Sequence, residues 1–532
     1  MSGAYIDQEL ESEFGKIPPS FLPLGNKRLF QYQVKLAPKN ALVYLSVPES
    51  FSVSSTDNQW LLANNVILLK IPDGLNLGAS LVAALNLSGN SLDRPLHVLY
   101  GDTLFKQLPT GEDIVSISEV KDSYNWAVLT DDDVHWLKGR DDNLSFNGNP
   151  SNSESHRVVN GYFKFDHPRE IIKTVTQSKW DFLSGLNKYH QTIGITPIQS
   201  EGWLDFGHVN TYYRSKAEFT TQRAFNELSI NAKWVEKSSV KNVKIAAEAN
   251  WFETLPDSLR SYIPQFLGSK KQDNGKVSYR LEYLHLIALN ELFVFSQLPS
   301  NVWQQILLCC VEFLEHCAQE KTPNGEPTNQ LHELFGTKTD QRLQEYCQSK
   351  KISLEQQWRF NGNTPLSVSD VLKDSQKHLP KGQSVLSVLH GDFCFSNILY
   401  DFRSGRVKTI DPRGMTANET LTIYGDIQYD VAKLCHSFLG LYDWIIAGYY
   451  DVQINQNNIH FEIFGDNQYR EAQQIFIELM KNKFGLSAQQ LYAMQIQLFL
   501  SMLPLHADDP KRQQALFANA FRLHQILNRL DK

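Results

Sequence analysis

Cysteine is scarce in this sequence, with six among 532 residues, and no two of them form a CxxC pair or a zinc-binding spacing. A disulfide framework and a zinc finger are therefore excluded as organising features of the fold. The remaining interpretation is reduced, mostly buried thiols of a cytoplasmic protein. They lie at Cys309, Cys310, Cys317, Cys347, Cys394 and Cys435.

Long apolar runs and an excess of positive charge are also missing. No uninterrupted apolar stretch approaches the ~20 residues that a membrane span needs. The opening residues, MSGAYIDQEL, lack the basic region and apolar core of a signal peptide. The formal net charge is −7, which argues against a general affinity for nucleic acid. We expect no membrane insertion. The length of 532 residues predicts two to four domains, and 42% hydrophobic residues suffice to build their cores.

What is present is best seen in LSVLHGDFCFSNILYDFRSGRVKTIDPRG, residues 386–414. The stretch predicts a strand, a loop and a two-stranded hairpin. Asp392 lies in the loop, Asn397 follows five residues later, and Asp411 ends the last strand. Phosphoryl transfer needs one carboxylate to deprotonate a hydroxyl, with an Asn and a second carboxylate to hold Mg²⁺ against ATP. The alternative is a plain hairpin with Asp and Asn as turn residues, but the full H-G-D-x4-N-x13-D pattern favours the enzyme.

The same stretch resembles the aminoglycoside phosphotransferase and choline kinase branch of the kinase-like fold, with Gly-Asp for Arg-Asp and Asp-Pro-Arg-Gly for Asp-Phe-Gly. The resemblance implies an α+β, bilobal kinase-like domain over residues 216–532, with a front lobe near 228–285 and a helical back lobe over 286–532. It implies that Asp392 is the catalytic base and that Asn397 and Asp411 bind Mg²⁺ with ATP.

A kinase front lobe also needs a strand Lys that reaches the ATP phosphates and a helix Glu that holds it. Lys237 and Glu248 fit those positions, and Lys233, Lys241 and Lys244 are rivals. The strand at 277–284 would lead to a hinge at Glu282, Tyr283 and Leu284, where backbone groups meet adenine.

Four further residues near the catalytic stretch have expected supporting roles. We expect His390 and Asp430 to brace the loop through hydrogen bonds, Asp426 to cap the following helix, and Arg413 to contact a phosphate or a loop carboxylate. The polar stretch at 141–156 predicts an exposed loop, and residues 212–227 a helix that joins the domains.

Residues 1–215 alternate strand and helix patterns, as in an α/β domain. Residues 41–47, 66–71 and 95–100 predict strands, and residues 78–87 a helix. Asp102 follows the last of these strands, at the sheet edge where α/β ligands bind. A carboxylate there is well placed to hold a divalent ion.

This region resembles the sugar-1-phosphate nucleotidyltransferases in GKIPPSFLPLGNKRLFQYQV, LNLGASLVAAL, LYGDTLF and GWLDFGHVNTYYRSK. The resemblance implies a Rossmann-like mixed sheet, with Asp102 and Asp205 holding Mg²⁺ against a nucleotide. The family's glycine-rich loop with Thr-Arg is replaced by IDQELESEFGKIPP. Phosphate binding would then rest on Lys16, Lys27 or Arg28, or the domain would only bind or scaffold.

Together these features predict a bifunctional enzyme that phosphorylates a small-molecule hydroxyl with Mg-ATP and then couples that phosphate to a second NTP, CTP being one option. Chains of this appearance resemble enzymes of bacterial capsule and surface-polysaccharide synthesis. Three alternatives stay open: a kinase with an inert N-terminal domain, a non-catalytic interaction protein, and an antibiotic-modifying kinase.

Overall fold

The computed structural model of the chain divides into two compact units, Met1–Phe219 and Thr220–Lys532. It describes residues 1–530 except 121–123, 125, 131–135, 140–155, 224–227, 232, 240–241, 272–274, 324, 326, 329–330, 332, 383, 417 and 466–468. The expected exposed loop at 141–156 and the rival Lys241 therefore lie outside the described residues, apart from His156.

The first unit has seven helices and ten strands within the described ranges. The helices are α1 Gln8–Phe14, α2 Leu29–Gln33, α3 Ser55–Ala63, α4 Leu77–Ser88, α5 Pro168–Gln177, α6 Phe182–Thr192 and α7 Val209–Arg223, which runs past the unit boundary. The strands are β1 Val43–Pro48, β2 Val66–Ile71, β3 Leu96–Leu99, β4 Thr103–Phe105, β5 Ile114–Val120, β6 Val128–Leu129, β7 Leu137–Lys138, β8 His156–Phe165, β9 Thr196–Gln199 and β10 Trp203–Asp205.

The sheet of this unit is mixed, as the sequence predicts. Strand β8 pairs antiparallel with β3, β5 and β6, whereas β5 pairs parallel with β9. The alternating strands bury Val115 and Phe163 against Leu81 of α4, Val175 of α5 and Leu186 of α6. This apolar layer between helices and sheet is the main driving force for folding of the unit.

Strands β1 and β2 form a separate parallel pair. In the described part of the chain no ladder joins β1 to β3. The first two residues lie between them instead: the Met1 ammonium donates to the carbonyl of Leu99, and the Ser2 amide donates to the carbonyl of Ser46 at 3.2 Å. Beside these contacts is a cavity of about 510 Å³, lined mainly by apolar side chains of β1, β3 and α4.

The second unit begins with an antiparallel sheet and continues into a mostly helical region. Its strands are β11 Leu228–Ile230, β12 Trp234–Ser239, β13 Phe266–Lys271, β14 Val277–Glu282, β15 Ile287–Ala288, β16 Pro327–Thr328, β17 Gln357–Phe360, β18 Leu366–Ser367, β19 Ser384–Val385, β20 Ser387–Val388, β21 Ile398–Asp401, β22 Arg406–Thr409, β23 Tyr424–Gly425, β24 Tyr450–Asn455 and β25 Asn458–Ile463. Its helices are α8 Asn242–Thr254, α9 Leu289–Phe295, α10 Ser300–Gln319, α11 Lys338–Lys350, α12 Val368–Lys377, α13 Ile427–Phe438, α14 Tyr442–Ala447, α15 Arg470–Phe484, α16 Ala488–Ser501 and α17 Pro510–Leu530.

The sheet order is β11-β12-β14-β13, and α8 buries Trp251 and Phe252 beside it. The helical region contains one feature that the periodicity does not predict: β17 pairs parallel with β25, which forms a hairpin with β24. All six cysteines are unpaired and buried. None of the helices within the described residues is both long and apolar enough to cross a lipid bilayer.

Candidate active site

The loop between β20 and β21 carries Asp392 and Asn397. A short 3-10 turn over Phe395–Asn397 brings the Asn side chain back to the Asp. The Asn397 amide nitrogen donates to the Asp392 backbone carbonyl at 2.9 Å and to its carboxylate at 3.2 Å. Because the amide nitrogen is used in this way, the amide oxygen is the atom that Asn397 can offer to a cation.

Asp411 follows β22 with a left-handed backbone, at a φ of 57°. Two backbone hydrogen bonds tie its turn to the Asp392 loop, from Ile410 to Asn397 at 3.0 Å and from Arg413 to His390 at 2.8 Å. The buried His390 ring also donates to the Ile410 carbonyl at 3.0 Å. Burial lowers the pKa of His390 to about 4, so the ring is neutral and braces the loop.

Lys237 of β12 connects this turn to α8. Its ammonium lies 2.8 Å from the buried Glu248 carboxylate and 3.1 Å from that of Asp411. Burial opposes the charge, but the attraction of Asp411 and Glu248 raises the pKa of Lys237. Among its rivals, Lys244 lies farther from Glu248, at 3.8 Å. The structure thus brings together the strand Lys, the helix Glu and the expected Mg²⁺ ligand.

Lys433 on α13 contacts Asp392, and the sequence motifs do not predict this contact. Its ammonium lies 2.8 Å from the Asp392 carboxylate. Burial alone would raise the pKa of Asp392, but attraction to Lys433 and a hydrogen bond from it lower the pKa to about 2. Asp392 is therefore ionised at neutral pH. The only sequence signal was the position of Lys433, three residues after Asp430 on the same predicted helix.

The helix that carries Lys433 is fixed by the two acids expected to support the loop. Asp430 accepts hydrogen bonds from the backbone N–H groups of His390 at 2.6 Å and Gly391 at 2.8 Å. Asp426 is the N-cap of α13 and accepts from the Gln428 amide at 3.0 Å. These contacts hold the start of α13 against the catalytic loop.

The expected hinge follows β14. The Glu282 amide donates to the Gln265 carbonyl at 2.9 Å, and the Tyr283 amide donates to the Lys233 carbonyl at 3.0 Å. The Leu284 amide has no hydrogen-bond partner among the residues that the structure describes. Of the three expected hinge residues, Leu284 is therefore the one whose backbone amide can donate to a ligand.

In the first unit, Asp102 and Asp205 come together where β4 and β10 pair. Asp205 lies opposite Thr103 in the ladder, and the Phe206 amide donates to the Asp102 carbonyl at 2.7 Å. A methyl group on Gly207 would lie 2.8 Å from one Asp102 oxygen and 3.4 Å from one Asp205 oxygen. Both carboxylates therefore converge on the same small space.

The electrostatics of this pair suit a cation. Burial, together with repulsion from Asp205, raises the pKa of Asp102 to about 6. One buried oxygen of Asp205 has no hydrogen-bond partner within the described ranges, and the His208 ring lies 3.6 Å from it. Two converging carboxylates with an unsatisfied oxygen fit a hard divalent ion such as Mg²⁺. His208, like Lys433, lies beside an expected site residue and is not indicated by the sequence motifs.

The three cations expected to bind phosphate in this unit form no hydrogen bond or ion pair with Asp102 or Asp205 among the described residues. Lys16 is exposed, with its ammonium 4.5 Å from the centre of the Tyr5 ring, and Lys27 is exposed as well. Arg28 is buried, where it donates to the Phe21 carbonyl at 2.8 Å and lies 3.4 Å from the Asp57 carboxylate. Arg28 thus has a structural role, and phosphate binding by Lys16 and Lys27 stays a prediction.

Within the described residues, no three His, Cys, Asp or Glu side chains gather as a metal cluster. Each unit instead has two expected ligands, Asp102 with Asp205 and Asn397 with Asp411. Mg²⁺ in nucleotide-dependent enzymes is commonly held in this way, by one or two protein ligands plus phosphates and water. The residues present therefore fit that ion in both places.

No protein-family model matches the chain, and no curated protein matches it. A glucosamine kinase in complex with glucosamine, ADP and inorganic phosphate aligns at 12% identity and a TM-score of 0.37, over 57% of this chain and 75% of its own. An apo-form thermostable mutant of an aminoglycoside phosphotransferase aligns at 13% and 0.34, over 58% and 98%. An aminoglycoside-3'-phosphotransferase of type VIII aligns at 12% and 0.31, over 55% and 99%. Similarity at this level assigns no activity to the chain.

Proposed function

We propose that the unit Thr220–Lys532 transfers the terminal phosphoryl group of Mg-ATP to a hydroxyl of a small molecule. The observation that carries the proposal is that Asp411 connects the Lys237–Glu248 pair to the loop of the proposed base. Lys237 lies between Glu248 and Asp411, and the Asp411 turn is hydrogen-bonded to the loop of Asp392 and Asn397. A base, two metal ligands and a phosphate-binding cation in one place are the parts that phosphoryl transfer requires.

In this reaction the hydroxyl oxygen forms a bond to the γ-phosphorus while the bond from that phosphorus to the ADP oxygen breaks. The Asp392 carboxylate orients the hydroxyl and takes its proton. Lys237 binds the phosphates, and the Leu284 amide is placed to donate to the adenine. Asn397 and Asp411 would hold Mg²⁺, which supplies charge neutralisation on the phosphates.

The test is phosphoryl transfer from γ-labelled ATP to a panel of polyols, sugars and their acids. Asp392→Asn should lower kcat by about 10²–10⁴-fold, the range for loss of a general base, and should leave Mg-ATP affinity in place. Glu462→Gln, which makes the same change on an exposed strand position, is the control. Full activity of Asp392→Asn, or no binding of Mg-ATP by the wild-type protein, would contradict the proposal.

A second activity is favoured by the converging carboxylates of the first unit. We propose that Asp102 and Asp205 support nucleotidyl transfer, in which a phosphate oxygen of the acceptor bonds to the α-phosphorus of an NTP and pyrophosphate leaves. The product of the kinase step is then the substrate of this step. The result would be a nucleotide-activated precursor of the kind used for surface polysaccharides.

The second proposal is tested by pyrophosphate release from phosphorylated acceptors with each NTP, CTP included. Asp205→Asn should abolish the release and leave kinase activity unchanged, whereas Asp392→Asn should do the reverse. Kinase activity without pyrophosphate release across the panel would favour an inert binding domain. Absence of both activities would favour an interaction protein.

A further inference from the structure

Four basic side chains act on one another beside the catalytic loop, and one of them, Lys433, pairs with the proposed base. Lys338 and Arg342 are one turn apart on α11 and so share a face of that helix. Arg413 follows the Asp411 turn, and Lys433 lies on α13 with its ammonium 2.8 Å from Asp392. We call these four residues the basic cluster.

Tyr429 joins the segments that carry the cluster. Its ring centre lies 5.9 Å from that of Phe335, in the turn directly before Lys338, and the Arg413 guanidinium lies 5.8 Å from the same ring. Tyr429 is also one helical turn before Lys433. The start of α11, Arg413 and Lys433 are therefore all gathered around one side chain beside the catalytic loop.

The carboxylates near the cluster do not balance its charge. Asp392 is paired with Lys433, and Asp430 is occupied by two backbone N–H groups. Arg413 is partly compensated, because attraction to Tyr429, Asp392 and Asp430 and a hydrogen bond to Tyr429 raise its pKa. Lys338 and Arg342 form no ion pair with a carboxylate among the residues that the structure describes, and the charges that act on Lys338 are positive. Arg342 donates to the Ser501 carbonyl at 3.3 Å.

All four side chains are only partly exposed. Burial and the charges of Arg413, Arg342 and Lys433 lower the pKa of Lys338 to about 8. Partly buried like charges without counter-ions are unfavourable, and an anion placed among them removes the penalty. The cluster is thus suited to a negatively charged ligand.

The nucleotide is not the best occupant, because its phosphates already have a cation in Lys237 and two expected Mg²⁺ ligands. Lys237 interacts with Glu248 and Asp411, whereas Lys433 and Arg413 of the cluster act on Asp392, the residue that meets the acceptor hydroxyl. The acceptor is therefore the substrate that can place a negative charge beside the cluster.

We infer that the acceptor is an anionic hydroxy compound, whose carboxylate or phosphate is bound by Lys338 and Arg342 with Arg413, while its hydroxyl meets Asp392. This inference rests on the proposed kinase function and narrows it to acidic acceptors. A neutral sugar or a cationic aminoglycoside would leave the cluster uncompensated.

The test compares acceptors that share a skeleton but differ in charge: glycerate and glycerol phosphate against glycerol, and gluconate against sorbitol. We expect kcat/KM for an acidic member to exceed that of its neutral counterpart by about 10²-fold. The carboxylate and phosphate arms show which anion is preferred. Lys338→Gln and Arg342→Gln should each raise KM for the acidic acceptor by about tenfold or more and leave KM for ATP unchanged.

Two controls separate charge from structure. Lys338→Arg should retain acceptor affinity, and Lys350→Gln removes an exposed charge from the same helix and should change nothing. Preference for the neutral acceptors, or an unchanged KM in both Gln variants, overturns the inference and leaves the kinase proposal standing.

Failure of the kinase proposal looks different, because no acceptor would be phosphorylated and Mg-ATP would not bind. Calorimetry of gluconate and sorbitol with the wild-type chain and the double variant Lys338→Gln/Arg342→Gln then tests the cluster without turnover. Gluconate binding that is selective and lost in the double variant supports an anion site, whereas equal binding of both compounds overturns it.

Discussion

At the scale of single residues, the Asp102–Asp205 pair lowers the stability of the metal-free protein in favour of the proposed function in metal binding. The ionised Asp102 carboxylate is destabilised where it lies, since burial and repulsion from Asp205 raise its pKa to about 6. Such strain is common at sites that await a cation, because the cation supplies the missing charge. The sequence predicted that both acids hold Mg²⁺, but not that one Asp205 oxygen would have no hydrogen-bond partner among the described residues.

Asp102→Asn should therefore stabilise the metal-free protein while abolishing pyrophosphate release. We expect a gain on the order of 1 kcal/mol in the free energy of unfolding of the Met1–Phe219 unit, the size of about one pKa unit of relieved repulsion. Urea unfolding with a chelator present measures the change. Loss of stability in the variant would show that the Asp102 carboxylate is bound by a structural partner instead.

Lys433 has a different influence, because it controls the charge of the proposed base. The folded-state pKa of Asp392, about 2, is below its ordinary value of 3.8. Its pairing thus stabilises the fold above about pH 4 and is lost as the pH falls toward 2. Wild-type kcat/KM should accordingly show no acid limb from Asp392 above about pH 4.

Lys433→Met keeps the burial of Asp392 and removes the cation. The pKa of Asp392 should rise above its ordinary value, and an acid limb should enter the pH profile of kcat/KM between about pH 4 and 7. Lys433→Arg should keep the wild-type profile. If the Met variant loses activity equally at every pH, Lys433 contributes through packing or substrate contact and not through the charge of Asp392.

At the scale of elements, the approach of α8 to the Asp411 turn positions the residues of the proposed nucleotide site. Gly414 has a φ of 65°, and a methyl group there would lie 2.1 Å from the Ala247 carbonyl of α8. Glu248, which holds Lys237, is the next residue along that helix. The absence of a side chain at position 414 therefore lets Glu248, Lys237 and Asp411 meet.

Gly414→Ala should displace α8 and raise KM for ATP by about tenfold or more, because the Lys237 contact to Asp411 would be lengthened. Gly405→Ala is the matched control, since Gly405 has nearly the same φ, 62°, but no atom within 4 Å of the added methyl. Both changes carry the cost of a left-handed backbone. An equal effect of the two on KM would mean that backbone strain alone is responsible.

Elements with local signals were the ones that the sequence predicted well. The hairpin β21–β22 follows from two short apolar segments on either side of the turn at 403–405, and α8 from a helical pattern at 244–254. The contacts of Lys433 and of the α11 cations were missed, because they depend on helices distant in the chain that only the folded core brings together. The β17–β25 pairing was missed for the same reason.

At the scale of the whole molecule, the chain has two units, each with its own buried core. Such a chain need not unfold in one step. We expect two thermal transitions, and Mg-ATP at 100 times its Kd should stabilise the Thr220–Lys532 transition by about 2.7 kcal/mol. Differential scanning calorimetry measures both transitions. Asp411→Asn should abolish that shift and leave the other transition in place, and a single transition would contradict this expectation.

The cavity beside β1 has a consequence for local unfolding of the first unit. Since β1 and β2 share no ladder with β3 in the described residues, this pair can detach while the ladder between β5 and β8 stays closed. Amide protons of Val66–Ile71 should therefore exchange with deuterium sooner than those of Ile114–Val120. In that partly opened form the apolar cavity lining would meet water first, which makes this edge the place where the unit begins to unfold or to associate with other chains.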